Sequence, residues 1–170
     1  MKKYLILTLS IVFIPHLLVY AQAGLQAQKI EASAVPQAVK DAYAANFTAE
    51  IIRWELHQAK KADKSGEKYV AIFKENNLDC RARFKKDGTS ISYSTYFKKE
   101  NLPANIKAAA EKSFVGFTAQ GGQKVKVFKN NKEYYKVRLN KGAQKGVFFC
   151  DLEGNPIEKK NVPQEADEDE

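Results

Sequence analysis

The chain has 170 residues, with 28 Lys plus Arg against 20 Asp plus Glu, a formal net charge of +8, two histidines and two cysteines. Two cysteines and few histidines, none closely spaced, exclude a recognisable zinc cluster. The positive excess favours polyanionic partners through long-range steering, and it also serves general solubility.

Residues 1–23 read as a secretory signal. Lys2 and Lys3 precede an apolar run from Tyr4 to Tyr20, and Ala21-Gln22-Ala23 has the small-x-small pattern of a signal-peptidase site. The run is shorter than the roughly 20 apolar residues of a membrane span, and Pro15 and His16 interrupt it. The mature protein is therefore expected outside the cytoplasm with no membrane span, which disfavours nucleic acid as a partner. Residues 24–34 read as a short leader.

Residues 35–99 form the first half of a repeated pattern. Val35, Val39, Ala42, Tyr43 and Phe47 lie at steps 0, 4, 7, 8 and 12, one stripe of a short helix that Pro36 opens and that ends near Asn46. Ile52, Trp54 and Leu56 then alternate with Arg53 and Glu55, which is strand periodicity. A polar loop from Lys60 to Glu67 leads to a second strand through Tyr69, Ala71 and Phe73. Glu75-Asn76-Asn77 turns the chain into a third through Cys80, Ala82 and Phe84. Asp87-Gly88 is a hairpin signal because a tight turn needs positive φ, and Ile91, Tyr93, Thr95 and Phe97 complete a fourth strand.

Residues 100–160 repeat this order. Leu102, Ile106, Ala109, Ala110 and Phe114 reproduce the helical steps after an offset of 67 residues, with Pro103 in place of Pro36. Strands follow through Val125 and Val127, through Tyr135, Val137 and Leu139, and from Gly146 to Asp151. Glu153-Gly154 and Ile157 match Asp87-Gly88 and Ile91 at an offset of 66. The expected fold is α+β, two tandem helix-plus-four-strand antiparallel repeats in one joint domain, with helices on one face of the sheet. Residues 161–170 carry five carboxylates and no cation, and are expected to be a disordered acidic tail. Without signal and tail the chain keeps 26 basic and 15 acidic residues.

Val35-Pro36 or Leu102-Pro103 opening a helix, Phe47 or Phe114 closing it, Trp54-Glu55 on the first strand, Tyr69-Val70-Ala71-Ile72-Phe73 or Tyr135-Lys136-Val137-Arg138-Leu139 on the second, and the two hairpin pairs together resemble the PepSY-like, beta-lactamase-inhibitor-like family of exported bacterial proteins. The resemblance implies one curved antiparallel sheet with helices on one side, and a location in the periplasm of a Gram-negative envelope. In the inhibitors of that family the concave sheet face binds a protein. Val125-Lys126-Val127 stands where the pattern expects a second tryptophan, and the resemblance carries over no inhibitory site.

Enzyme chemistry finds little support. His57 is the single histidine after the signal, with no nucleophile motif around it, and no phosphate-cradling glycine loop is present. No cofactor is expected. Asp151, Glu153 and Asn155 around Gly154 are explained by a hairpin turn, not a calcium loop. Cys80 and Cys150 share the parity of the buried face, and two buried free thiols are favoured over a disulfide.

Strand alternation points instead to the face turned from the helices. That face is expected to carry Arg53, Lys74, Arg81, Arg83 and Tyr96 from the first half, and Lys124, Lys126, Phe128, Tyr134, Lys136, Arg138 and Phe149 from the second, together with Val70, Ile72 and Val147. Cations interleaved with aromatics suit a binding surface for an acidic protein, peptide or envelope polyanion. The solvated outer face of a one-sided sheet has a similar composition. The other classes left open are an enzyme of unknown type and a structural or stress-related envelope protein that uses no specific face.

Overall fold

A computed structural model describes residues 25–59 and 66–167. The signal segment, most of the loop after residue 59 and the last three residues of the tail lie outside them. Eight strands form one antiparallel sheet in which every strand pairs with its neighbour in sequence, β1 through β8. They are β1 (Leu25–Ile30), β2 (Ile51–Ala59), β3 (Lys68–Glu75), β4 (Leu78–Phe84), β5 (Ser90–Lys98), β6 (Thr118–Val127), β7 (Lys132–Lys141) and β8 (Gln144–Cys150). Helices α1 (Gln37–Asn46) and α2 (Ala104–Ser113) precede β2 and β6, and a short α3 (Gln164–Asp167) follows the sheet.

Pro36 and Pro103 stand immediately before α1 and α2, where a missing N–H leaves no bond unmade. Each helix ends at its phenylalanine, whose backbone N–H still donates four residues back, Phe47 to Tyr43 at 2.8 Å and Phe114 to Ala110 at 3.1 Å. Val39 and Tyr43 bury the apolar stripe of α1 against Trp54, Tyr69, Phe73 and Phe84, while Ile106 and Ala110 of α2 pack on Tyr135, Val137, Leu139 and Phe148. Phe73 and Phe84 are fully buried, each contributing about 2 kcal/mol by removal from water. These two clusters lie on the same face of the sheet and are separate from one another.

The turns follow backbone chemistry. Asn76 and Asn77 both take positive φ, +51° and +62°, in the tight β3–β4 hairpin. Gly88 has φ +86°, and a Cβ there would stand 2.5 Å from the carbonyl oxygen of Ala38, so glycine lets this hairpin touch α1. Gly154 has φ +95° and its turn lies in the same way against Ala109 of α2.

Three expectations change. Residues 25–30, read as leader, are strand β1, in register with β2 from Leu25 opposite Ala59 to Ile30 opposite Trp54. A polar edge strand made of Gln26, Gln28 and Lys29 carries no core signal. The fourth strand of the second half is reduced to a bridge between Cys150 and Pro156. Residues 161–167 of the acidic tail, expected to be disordered, continue from a 3-10 turn at Lys159–Asn161 into α3, which lies against β5, β6 and β7. Ile157 and Val162 anchor that segment by apolar contact.

Candidate functional site

Directly paired residues of an antiparallel sheet point to the same side, so the registers define the face opposite α1 and α2, termed here the distal face. One row runs Arg53, Ile72, Arg81, Ser94, Val125, Tyr134, and the next Glu55, Val70, Arg83, Ser92, Val127, Lys132. Tyr96, Gln123, Lys136 and Phe149 form another. Lys98, Gly121, Arg138 and Val147 form the next, with Thr118, Asn140 and Lys145 beyond it.

Nine of the twelve residues assigned from the sequence are thus on the distal face: Arg53, Lys74, Arg81, Arg83, Tyr96, Tyr134, Lys136, Arg138 and Phe149. Lys124, Lys126 and Phe128 are not. Lys124 is opposite Tyr135 and Lys126 opposite Glu133, on the helix side. There the Lys124 ammonium is 3.4 Å from Glu133, and that of Lys126 is 5.5 Å from the Phe128 ring centroid. The inversion has a physical cause. Val125 and Val127 are almost fully buried, as their alternation implies, but beneath Ile157 and Val162 on the distal side instead of beneath α2.

An open cleft of about 610 Å³ lies on the distal face. Six cationic side chains line it, Arg53, Lys74, Arg81, Lys98, Lys99 and Arg138, against two carboxylates, Asp79 and Glu100, with Ile72 and Tyr96 also in its wall. The Arg81 guanidinium lies 5.0 Å from the Tyr96 ring centroid, a cation–π contact that holds both side chains in place. Arg53 bonds Glu55 at 2.8 Å, and Lys74 stands 3.8 Å from Asp79. Arg53, Lys74, Lys98, Lys99 and Arg138 are exposed, so their charge faces solvent. Sequence reasoning missed Lys98, Lys99 and Gln120 in this wall. The shared parity of Lys98 with Tyr96 could have found the first, whereas Lys99 lies just past the strand end.

Beside the cleft the face is covered. Arg83 is only 3% and Lys136 4% exposed. Arg83 donates to the Ser94 hydroxyl at 3.1 Å and to the Tyr96 hydroxyl at 3.4 Å, and the Lys136 ammonium sits 5.9 Å from the Phe149 ring centroid. Such partners offset part of the cost of burying a cation. Along β2, burial pushes the Glu55 carboxyl up, but hydrogen bonds with His57 and from Arg53 outweigh it and hold the carboxyl below its ordinary range. The bond to His57 measures 2.9 Å.

Neither cysteine is placed for catalysis. Cys80 and Cys150 are free and fully buried, one in each helix-side cluster. Burial, then the charge of Asp151, pushes the Cys150 thiol up to about 12, far from thiolate at neutral pH. Among the described residues, no group of three or more His, Cys, Asp or Glu side chains is placed to hold a metal ion. No helix among them is long and apolar enough to cross a membrane.

Comparison with protein-family models gives no match, and comparison with curated proteins gives none either. Solved structures do match, and they define a fold class. A BLIP-like protein from Bacteroides fragilis NCTC 9343 aligns with TM-score 0.58 at 17% identity, over 76% of this chain and 90% of its own. A DUF2874 family protein from Bacteroides ovatus ATCC 8483 aligns with TM-score 0.57 at 15% identity, over 72% of this chain and 84% of its own. A protein from Bacteroides eggerthii DSM 20697, provisionally assigned to the periplasm, aligns with TM-score 0.56 at 22% identity, over 73% and 86%. The fold is therefore BLIP-like: α+β, a mostly antiparallel open sheet of eight strands with two main helices.

Proposed function

We propose that the protein is a non-enzymatic periplasmic binding module whose distal face engages an acidic protein or peptide. The cleft carries this reading: six cations against two carboxylates, next to an aromatic ring fixed by Arg81, on an open sheet face. A merely solvated face would intersperse both signs and would not need the buried apolar and cationic residues found beside the cleft. Likeness to a BLIP-like protein supports partner binding through the sheet, and the signal-like start with the likeness to a provisionally periplasmic protein supports export. Two corresponding antiparallel pairings, Phe84 opposite Ser90 and Cys150 bridged to Pro156, differ by the 66-residue offset and support a repeated unit as the scaffold.

The test is crosslinked affinity capture from a periplasmic extract, with wild-type protein beside Arg81→Glu/Arg138→Glu. The expected result is an acidic protein captured by the wild type and lost with the charge-reversed pair. An identical catch from both proteins refutes the assignment. Capture of polysaccharide alone replaces the protein partner with an envelope polyanion.

A further inference from the structure

The chain after β8 does not leave the sheet. Asp151 closes a turn by accepting the backbone N–H groups of Glu153 and Asn155 at 3.0 and 2.8 Å, while the Asn155 side-chain amide donates to its second oxygen at 2.8 Å. The equivalent turn in the first half, at Asp87-Gly88, leads into the nine-residue strand β5. Here edge pairing ends once the Ile157 N–H has reached the Phe149 carbonyl at 2.8 Å. The 3-10 turn at Lys159–Asn161 then redirects the chain over the distal face. Ile157 and Val162 pack on Val125, Val127 and Tyr134, forming a third core on the side away from α1 and α2. From there α3 lies against β5, β6 and β7.

A four-residue helix has no stability of its own, so the face holds it. Its surroundings match it chemically. Val162 is followed by Glu165, Asp167, Glu168, Asp169 and Glu170 with no cation among them. The face offers the same two features side by side: an apolar patch on β6 and β7, and the cations Arg83, in the row of Val127, and Lys136, in the row next to Val125 and Tyr134. Tyr96 and Ser94 are two residues apart on β5, so the cationic cleft begins about 7 Å from the covered patch.

We propose that residues 157–167 are an internal occupant of the binding face, and that the partner is a peptide segment of the same chemistry, a branched apolar anchor followed by a run of carboxylates, that binds by displacing residues 162–167. The identity of the partner rests on the binding-face reading above, whereas the internal occupancy does not. A tethered segment has an effective concentration of about 1 mM. With an intrinsic Kd of about 100 µM it keeps the face closed about ten to one, so an outside ligand meets a roughly tenfold weaker apparent affinity.

The probe is a fluorescein-labelled synthetic peptide with the sequence of residues 157–170, read by anisotropy at low salt against the full mature chain. The released variant neutralises the tail with Glu165→Gln, Asp167→Asn, Glu168→Gln, Asp169→Asn and Glu170→Gln, all beyond the anchoring Val162. A second variant, Val162→Ser, loosens the anchor, and circular dichroism checks its fold. Both variants are expected to bind the probe about tenfold more tightly than wild type, and a probe carrying the five amides should bind none of the three proteins. Equal affinity for wild type and the neutral-tail variant, or no binding by either, overturns the internal occupant. A gain seen with dextran sulfate but not with the peptide overturns the peptide assignment. If tail release raises probe affinity while envelope capture is indifferent to charge reversal, the strap stands and the partner reading falls. If capture depends on charge but tail neutralisation changes nothing, the reverse holds.

Discussion

Reversing one cleft charge gives a calculable loss of affinity. Arg138 is exposed on the distal face within β7, opposite Val147 and Gly121, and lines the cleft. For an exposed pair at contact distance, Coulomb attraction in a water-like dielectric is about 1 kcal/mol. Arg138→Glu removes that attraction and adds a repulsion of equal size, so the change is about 2 kcal/mol, or roughly 30-fold in Kd. Lys124→Glu provides the internal control. It makes the same change of net charge on the helix side, where Lys124 neighbours Glu133, and should alter Kd by less than about threefold. An octaglutamate peptide followed by anisotropy at about 20 mM and about 300 mM salt reads both variants, because the Debye length contracts well below the dimensions of the cleft over that range. The Arg138 effect should shrink several-fold at the higher salt. Equal losses from Arg138→Glu and Lys124→Glu would refute the reasoning, since net charge and not the face would then govern binding.

Three further outcomes follow from the fold. Gly88→Ala forces a left-handed residue and a Cβ 2.5 Å from the Ala38 carbonyl oxygen, and should lower stability by about 2–3 kcal/mol in urea unfolding; Gly154→Ala, with a side-chain neighbour at 3.1 Å, should cost less. Glu55 titrates below its ordinary value of 4.5 in the folded protein. Its contribution is therefore full above the unfolded pKa and lost as pH falls through the folded one, so Glu55→Gln should flatten the acid limb of urea midpoints between about pH 6 and about pH 3. Cys80 and Cys150 are 0% exposed, and iodoacetamide should label neither in the native protein and both in urea, with mass spectrometry as the readout.

Local patterns that encode one element were legible. Val39 and Tyr43 at helical spacing marked the face of α1, and the Asn76-Asn77 and Asp87-Gly88 pairs marked hairpins whose positive φ values the structure contains. Parity on β3, β4 and β5 was equally readable, because Phe73, Cys80 and Tyr93 lie over one helix-side cluster. Alternation on β6 misled for a specific reason: Val125 and Val127 announce burial without saying what covers them. The cover comes from Ile157 and Val162, two apolar residues spaced five apart in a polar stretch. Strand β1 was illegible because an edge strand can satisfy its backbone with little apolar burial; among its described side chains, Ile30 packs on the core. The cleft, too, depends on which strands adjoin. Lys98 and Arg138 are forty residues apart in the chain and end on the same row through Gly121.

Nearest-neighbour pairing throughout the sheet has a consequence for a chain that emerges from its N-terminus. Each strand can add to the one before it once it appears, with β1 to β2 and β5 to β6 the two junctions that also wait for a helix. Residues 157–167 break this order. They emerge after all eight strands and reach back to β5, β6 and β7, so the sheet can be assembled while Val125, Val127 and Tyr134 are still bare. A nascent molecule therefore passes through a stage at which its apolar patch is accessible, until Ile157 and Val162 emerge to cover it.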